Sequence, residues 1–71
     1  MKKEQINIDD MMLESEIYEL IEQLESVQEA IYSSVPNEMI FLHGTEPNVR
    51  TRWGAVYFHA GMAKASLRAF L

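Results

Sequence analysis

Apolar residues recur with helical spacing over the first half of the chain. The pattern predicts one long amphipathic helix over about residues 10–34, because side chains three and four positions apart share one face of a helix. Asp9 or Asp10 is the expected N-cap. Pro36 ends the helix, since the residue before a proline is disfavoured in the helical region. The apolar positions, separated by 4, 3, 4, 3 and 4 residues, are Leu13, Ile17, Leu20, Leu24, Val27 and Ile31.

A second helix is predicted over about residues 46–70. Thr45-Glu46-Pro47 is typical of a helix start, with a hydroxyl cap, an acid in the first turn and a proline that the first turn tolerates. The alternating spacing of four and three residues between apolar positions in the first helix continues through this segment. Its positions are Val49, Trp53, Val56, Ala60, Ala63, Leu67 and Phe70.

The segment 36–44 between the predicted helices is the hardest to interpret. Its apolar residues, Met39 to Leu42, fit a short strand or a turn or two of helix. Asn37 can cap such a turn and Gly44 can end it. Because no partner strand is evident, we predict a short helical or irregular connector whose apolar cluster closes one end of the core.

These elements define the expected fold class as all-α, an antiparallel two-helix hairpin. Residues 1–8 are interpreted as a mobile N-terminal tail and residues 9–71 as a single helical-hairpin domain. The charges agree with this pairing. Residues 9–35 carry eight acids and no base, and residues 47–71 carry four bases and no acid. Each exposed ion pair adds only about 0.2–1 kcal/mol, so the apolar seam is expected to supply most of the stability.

Size and composition favour association with another chain. A core built from 71 residues supplies only about 3–5 kcal/mol, and small domains usually need a disulfide, a metal or a partner. The chain has no cysteine, and its net charge of −5 argues against a general affinity for nucleic acid or anionic lipid. No apolar stretch suggests a secretory signal or a membrane span, so we expect a cytoplasmic protein and no contact with a membrane.

The second helix is apolar around most of its circumference, which is typical of a buried helix. A single neighbouring helix cannot cover such a surface, so we predict a protein interface on it. Gly54 and Gly61 are interpreted as a notch that admits another backbone. The residues expected to dominate binding are Trp53, Tyr57, Phe58, Gly61, Met62 and Ala65.

Nothing in the sequence indicates catalysis. His43 and His59 are the only histidines, and no pairing of ligands at helical spacing accompanies them, so no metal site is predicted. The glutamates of the first helix are interpreted as a solvated face, because paired catalytic carboxylates need a cleft. We predict no enzyme, no cofactor and no small-molecule substrate.

The function predicted from these patterns is a non-enzymatic protein–protein interaction module. It would be a small chaperone-like or adaptor subunit that binds a helical partner or self-associates. A dimer that forms a four-helix bundle is the favoured state. The alternatives are a small transcriptional regulator and an acidic inhibitor of a nucleic-acid-binding protein. A short alternating segment, Gln5-Ile6-Asn7-Ile8, followed by two helices resembles the layout of ribbon-helix-helix repressors, but the predicted first helix is much longer than in that layout. The basic residues available to a regulator are Arg50, Arg52, Lys64 and Arg68.

Overall fold

The computed structural model describes residues 13–71, which are mostly helical. Helix α1 spans Glu14–Ser34 and helix α2 spans Arg52–Arg68. Between them lie a 3₁₀ helix over Asn37–Met39 and two short strands, β1 over Phe41–His43 and β2 over Glu46–Pro47. Two helices joined by a short connector are confirmed, although the connector is not all-α. The predicted tail lies outside the described residues, as do Asp9 and Asp10. The prediction that one of these two caps the helix is wrong, because α1 begins at Glu14 with Leu13 at its N-cap position.

Helices α1 and α2 pack side by side and run in opposite directions. Gln28 of α1 donates a hydrogen bond from Nε2 to the carbonyl oxygen of Tyr57, at 3.0 Å. One turn earlier in α1, Glu25 lies 3.9 Å from Lys64 Nζ and 3.3 Å from Arg68 Nη2, both later in α2. The predicted pairing of an acidic helix with a basic one is therefore observed at Glu25, where partial exposure keeps its contribution small.

The buried strip of α1 is rotated relative to the predicted seam. Ile17 and Ile31 are buried as expected, but so is Ile21, which the predicted seam does not contain. Val27, which belongs to that seam, remains 43% exposed. The rotation arises because α2 lies over the side of α1 that carries Ile21 and Gln28, as the Gln28 hydrogen bond shows. One edge of the predicted seam is left uncovered.

The connector contains a small antiparallel β-hairpin, so the prediction that a sheet is absent is wrong. Strand β1 pairs with β2, and His43 lies opposite Glu46 across a two-residue turn. Gly44 occupies that turn with a φ of +56°, a left-handed conformation that glycine adopts without steric cost. The sequence pattern does not reveal this partner strand, because Glu46 and Pro47 also fit the start of a helix.

As predicted, the connector closes one end of the helix pair, but only two of the four residues in its predicted apolar cluster are buried. Ile40 and Phe41 are buried, whereas Met39 and Leu42 are about half exposed. The Phe41 ring makes an edge contact with Tyr57 of α2, with ring centres 5.3 Å apart. The complete cluster consists of Ile31, Ile40 and Phe41, with Val35 and Tyr57 packed against it.

Helix α2 begins six residues later than predicted, at Arg52, and its cap is Thr51 rather than Thr45. Thr51 Oγ1 accepts a hydrogen bond from the Gly54 amide at 3.0 Å. The same hydroxyl donates to the Met39 carbonyl oxygen at 2.7 Å, which ties the helix start to the connector. Val49, placed by the sequence in the apolar seam of this helix, precedes the helix and is exposed.

The two threonines provide a direct test of this boundary. We expect Thr51→Ala to lower the free energy of unfolding by about 1–2 kcal/mol, because it removes the cap and the tether to Met39 together. Thr51→Ser keeps the hydroxyl and should restore most of the loss. Thr45→Ala should have little effect, since Thr45 is exposed in the turn. Urea unfolding followed by circular dichroism measures all three variants, and an equal loss at Thr45 would contradict the observed helix start.

Candidate interaction site

An apolar groove runs along one side of the helix pair, between α1 and α2. Two adjoining depressions, of about 830 and 530 Å³, share Leu24, Val27 and Ala63 and therefore form one continuous surface. We refer to this surface as the groove. Its helical lining consists of Leu20, Gln23, Leu24 and Val27 from α1 and Arg52, Ala55, Val56, His59, Ala60, Ala63, Ser66 and Leu67 from α2.

The groove is open because α2 presents short side chains toward it. Ala60 and Ala63 lie on its floor and do not extend far enough to bridge the two helices. The valines on the two walls consequently remain accessible, with Val27 43% and Val56 39% exposed. These are residues that the apolar spacing assigned to the seam between the helices. Short alanine side chains therefore allow a close approach along this side of the helix pair.

The charged residues that line the groove have one sign. Among the described residues that line it there is no aspartate or glutamate. Arg50 and Arg52 lie at the end nearest the connector, and His59 lies on the α2 wall. Glu25, by contrast, lies with its basic partners on the other side of the helix pair, in a separate depression with Gln28 and Lys64.

Five of the six residues predicted to form an interface lie together, on another side of α2. Tyr57, Phe58, Gly61, Met62 and Ala65 line a shallow depression of about 240 Å³ with Gln28 and Pro47. The sixth, Trp53, is separated from them. It is 41% exposed and lines a different depression with Ile31, Val35 and Met39.

Two of these five residues are already engaged within the chain. The Tyr57 ring packs on Phe41, and its carbonyl oxygen accepts the Gln28 hydrogen bond. Gly61 lies against the same Gln28 side chain, since a methyl group at Gly61 would be 3.2 Å from Gln28 Nε2. Met62 remains 52% exposed. Interface roles for these residues stay predictions.

The predicted glycine notch does not admit another chain at Gly54. The space beside it is filled by the connector, and a methyl group there would lie 2.7 Å from the Ile40 carbonyl oxygen and still closer to that of Asn48. Gly54 is itself buried. Its lack of a side chain therefore serves the contact between α2 and the chain's own connector, and the interpretation as a notch for a partner is wrong at this position.

The walls of the groove were not predicted as a binding site. Leu20, Val27 and Val56 fit the apolar rhythm so well that they were all assigned to the buried seam. The signal that identifies the groove is the size of the α2 residues between them. Ala55, Ala60, Ala63 and Ser66 are too small to cover the opposing leucine and valine side chains of α1.

The described residues show no arrangement typical of a metal site. Within residues 13–71, no group of three or more His, Cys, Asp or Glu side chains could hold a metal ion. His43 is exposed in β1, and His59 contacts the edge of Phe58 with ring centres 5.5 Å apart. Over the same residues, neither helix combines the length and apolar character needed to cross a membrane.

Comparison of the chain with protein-family models, curated proteins and solved structures found no match. The basis for a functional proposal is therefore the geometry of the described residues. What that geometry defines is a pair of antiparallel helices with an open apolar groove along one side.

Proposed function

We propose that this protein is a non-enzymatic protein–protein interaction module that binds a helix in its groove. The proposal rests on the partial exposure of Val27 and Val56, which lie on opposite walls of the groove with alanines between them. Binding of an amphipathic helix in an apolar groove is a recurrent mode of recognition. A chaperone-like subunit and an adaptor would both bind a helical partner in this way.

The dimensions of the groove suit a helix. Leu20 and Val27 on the α1 wall are seven residues apart, which is roughly 10 Å or two helical turns. A separate depression, lined by Ile31 and Trp53, lies further along α1 toward the connector. A bound helix with apolar residues at helical spacing would cover the exposed part of both valines, and burial of apolar surface contributes about 25 cal/mol per Å².

The distribution of basic residues supports protein binding over DNA binding. Lys64 and Arg68 are engaged with Glu25 on one side of the helix pair. Arg50 and Arg52 lie at the connector end of the groove instead. A regulator that binds the phosphate backbone of DNA needs its basic residues on one continuous surface, whereas these four basic residues are divided between two surfaces. The acidic-inhibitor alternative rests on the exposed glutamates of α1, a feature that solvated helices share.

A photo-crosslinking experiment in the cell that makes the protein tests the proposal. The photoreactive residue p-benzoylphenylalanine is placed in turn at Val56 in the groove, at Met62 on the sequence-predicted face, and at Tyr18. Tyr18 serves as the matched control, because it is 57% exposed and absent from the groove lining.

The expected result is a discrete adduct from position 56 and none from position 18. The mass of the adduct shows whether the bound chain is a second copy or a different protein. Adducts from position 62 alone would return the interface to the sequence-predicted face. An absence of adducts from both 56 and 62 would contradict the interaction function.

A further inference from the structure

We infer that the helix bound in the groove belongs to a second copy of this chain, docked antiparallel, with Arg52 of each copy beside Glu16 of the other. This inference rests on the proposed function and adds the identity of the partner and its orientation. Such a dimer is isologous, because each groove receives the other copy's groove-side surface through one two-fold axis.

Charge complementarity is the first argument. No ion pair within 4.0 Å engages Arg50 or Arg52 anywhere in residues 13–71. Both lie at the connector end of the groove. Glu16 lies near the opposite end, one turn before Leu20 of the α1 wall, and is exposed. One copy therefore presents positive charge that has no partner within residues 13–71 at one end of the groove, and negative charge at the other.

The distances along the helices match this pairing. Trp53 and Val35 line the same depression, so Arg52 is level with the end of α1, roughly 15 Å beyond Leu24. Glu16 lies eight residues before Leu24, which is roughly 12 Å in the other direction. A two-fold axis through Leu24, the middle of α1, therefore brings Arg52 of one copy close to Glu16 of the other.

The opposite orientation is disfavoured by the same charges. Copies docked in parallel would place their arginine pairs together at one end and their glutamates together at the other, and like charges across an interface oppose binding. In the antiparallel dimer, Leu20 of one copy approaches Val27 of the other. The two meet over the alanines Ala60 and Ala63, which leave room for them.

The part of the groove between its charged ends is also suited to self-association. The α1 edge of the groove carries Gln23 and Val27, and the α2 edge carries Ala55 and Ser66, none of them charged. An interface core that lacks charged residues is typical of protein contacts. The exposed glutamates Glu22 and Glu29, which lie on the other side of α1 by helical periodicity, are left in solvent.

Sedimentation equilibrium of variants with exchanged charges tests the inference. We expect the wild-type chain to dimerise, and Arg52→Glu or Glu16→Lys alone to raise the dimer dissociation constant roughly tenfold, since each change puts two like-charge pairs into the dimer. The double variant, in which the two charges are exchanged, should bind within about threefold of wild type. Such a recovery is expected only if the two residues face each other across the interface.

Two further variants keep the test independent of folding. Glu16 also accepts a hydrogen bond from the Leu13 amide at 3.0 Å, so Glu16→Gln, which keeps an acceptor, is measured beside Glu16→Lys. Glu22→Lys makes the same charge change on the solvent side of α1 and should leave dimerisation unchanged. Circular dichroism confirms that the helix content of each variant is intact.

The outcomes separate this inference from the proposed function. A dimer in which the swap fails to restore binding would overturn the antiparallel orientation. A wild-type chain that stays monomeric at about 100 μM, far above the dissociation constants typical of specific complexes, would overturn the second copy as occupant. In that case the proposed function stands if position 56 crosslinks to a different protein, and fails if it crosslinks to nothing.

Discussion

Gly54→Ala is expected to destabilise the protein by about 2–3 kcal/mol or more, the range of severe overpacking. At an ordinary position inside a helix, alanine is about 1 kcal/mol more favourable than glycine. Here the new methyl group would meet the Ile40 carbonyl oxygen at 2.7 Å and the Thr51 Oγ1 at 2.6 Å. Since these atoms anchor the connector to α2, the helix start and the end of the core are disrupted together.

Gly61→Ala is the matched control within the same helix. Its methyl group would meet only the end of the Gln28 side chain, at 3.2 Å, and that side chain can shift. We therefore expect no loss of stability, or a gain of a few tenths of a kcal/mol from the better helix former. Thermal and urea unfolding of the two variants measure the difference. Similar behaviour of both would contradict the close contact between the connector and α2.

Val27→Asp combined with Val56→Asp is expected to weaken self-association at least about a hundredfold, because both copies lose apolar contacts and bury unpaired carboxylates. The fold should survive, since these valines are already 43% and 39% exposed. Sedimentation equilibrium gives the dissociation constant, and circular dichroism gives the helix content.

Met62→Asp is the control for this prediction, on the face that the sequence pattern favoured. Met62 is 52% exposed and contributes nothing to the groove lining. The groove account expects its variant to dimerise as wild type does. If Met62→Asp dissociates the dimer while the valine variant remains dimeric, the interface lies on the face of Phe58 and Met62, as predicted from the sequence, and the groove is not the site.

The sequence predicts the two helices well because apolar spacing reports directly on helical faces. The end of α1 at Ser34 follows from Pro36, a residue with a strong local effect. The start of α2 is harder, because Thr45 and Thr51 are both plausible caps. What decides between them is the pairing of Glu46 with His43 and the Thr51 hydrogen bond to Met39, contacts between segments that spacing does not encode.

The groove could not be predicted because apolar periodicity identifies a face and leaves its rotation undetermined. The pattern of α1 places Val27 and Ile31 on the same side, yet Ile31 is buried against Ile40 and Phe41 of the connector while Val27 stays accessible. That rotation depends on side-chain sizes in the opposing helix and on the connector that fixes the start of α2. The turn at Gly44 does carry a local signal, since a two-residue loop with glycine is common in hairpins, but the sequence prediction places Gly44 at the end of a helical turn instead.

Intermolecular nuclear Overhauser effects provide the most direct test of the groove as the site of association. In a mixed sample of isotope-labelled and unlabelled protein, an isotope-filtered experiment reports only contacts between different copies. The groove account predicts cross-peaks from the methyl groups of Leu20 to those of Val27, with none involving Met62. Intermolecular cross-peaks confined to Phe58 and Met62 would contradict the groove as the site, and none at concentrations of about 1 mM, where even weak complexes form, would contradict self-association.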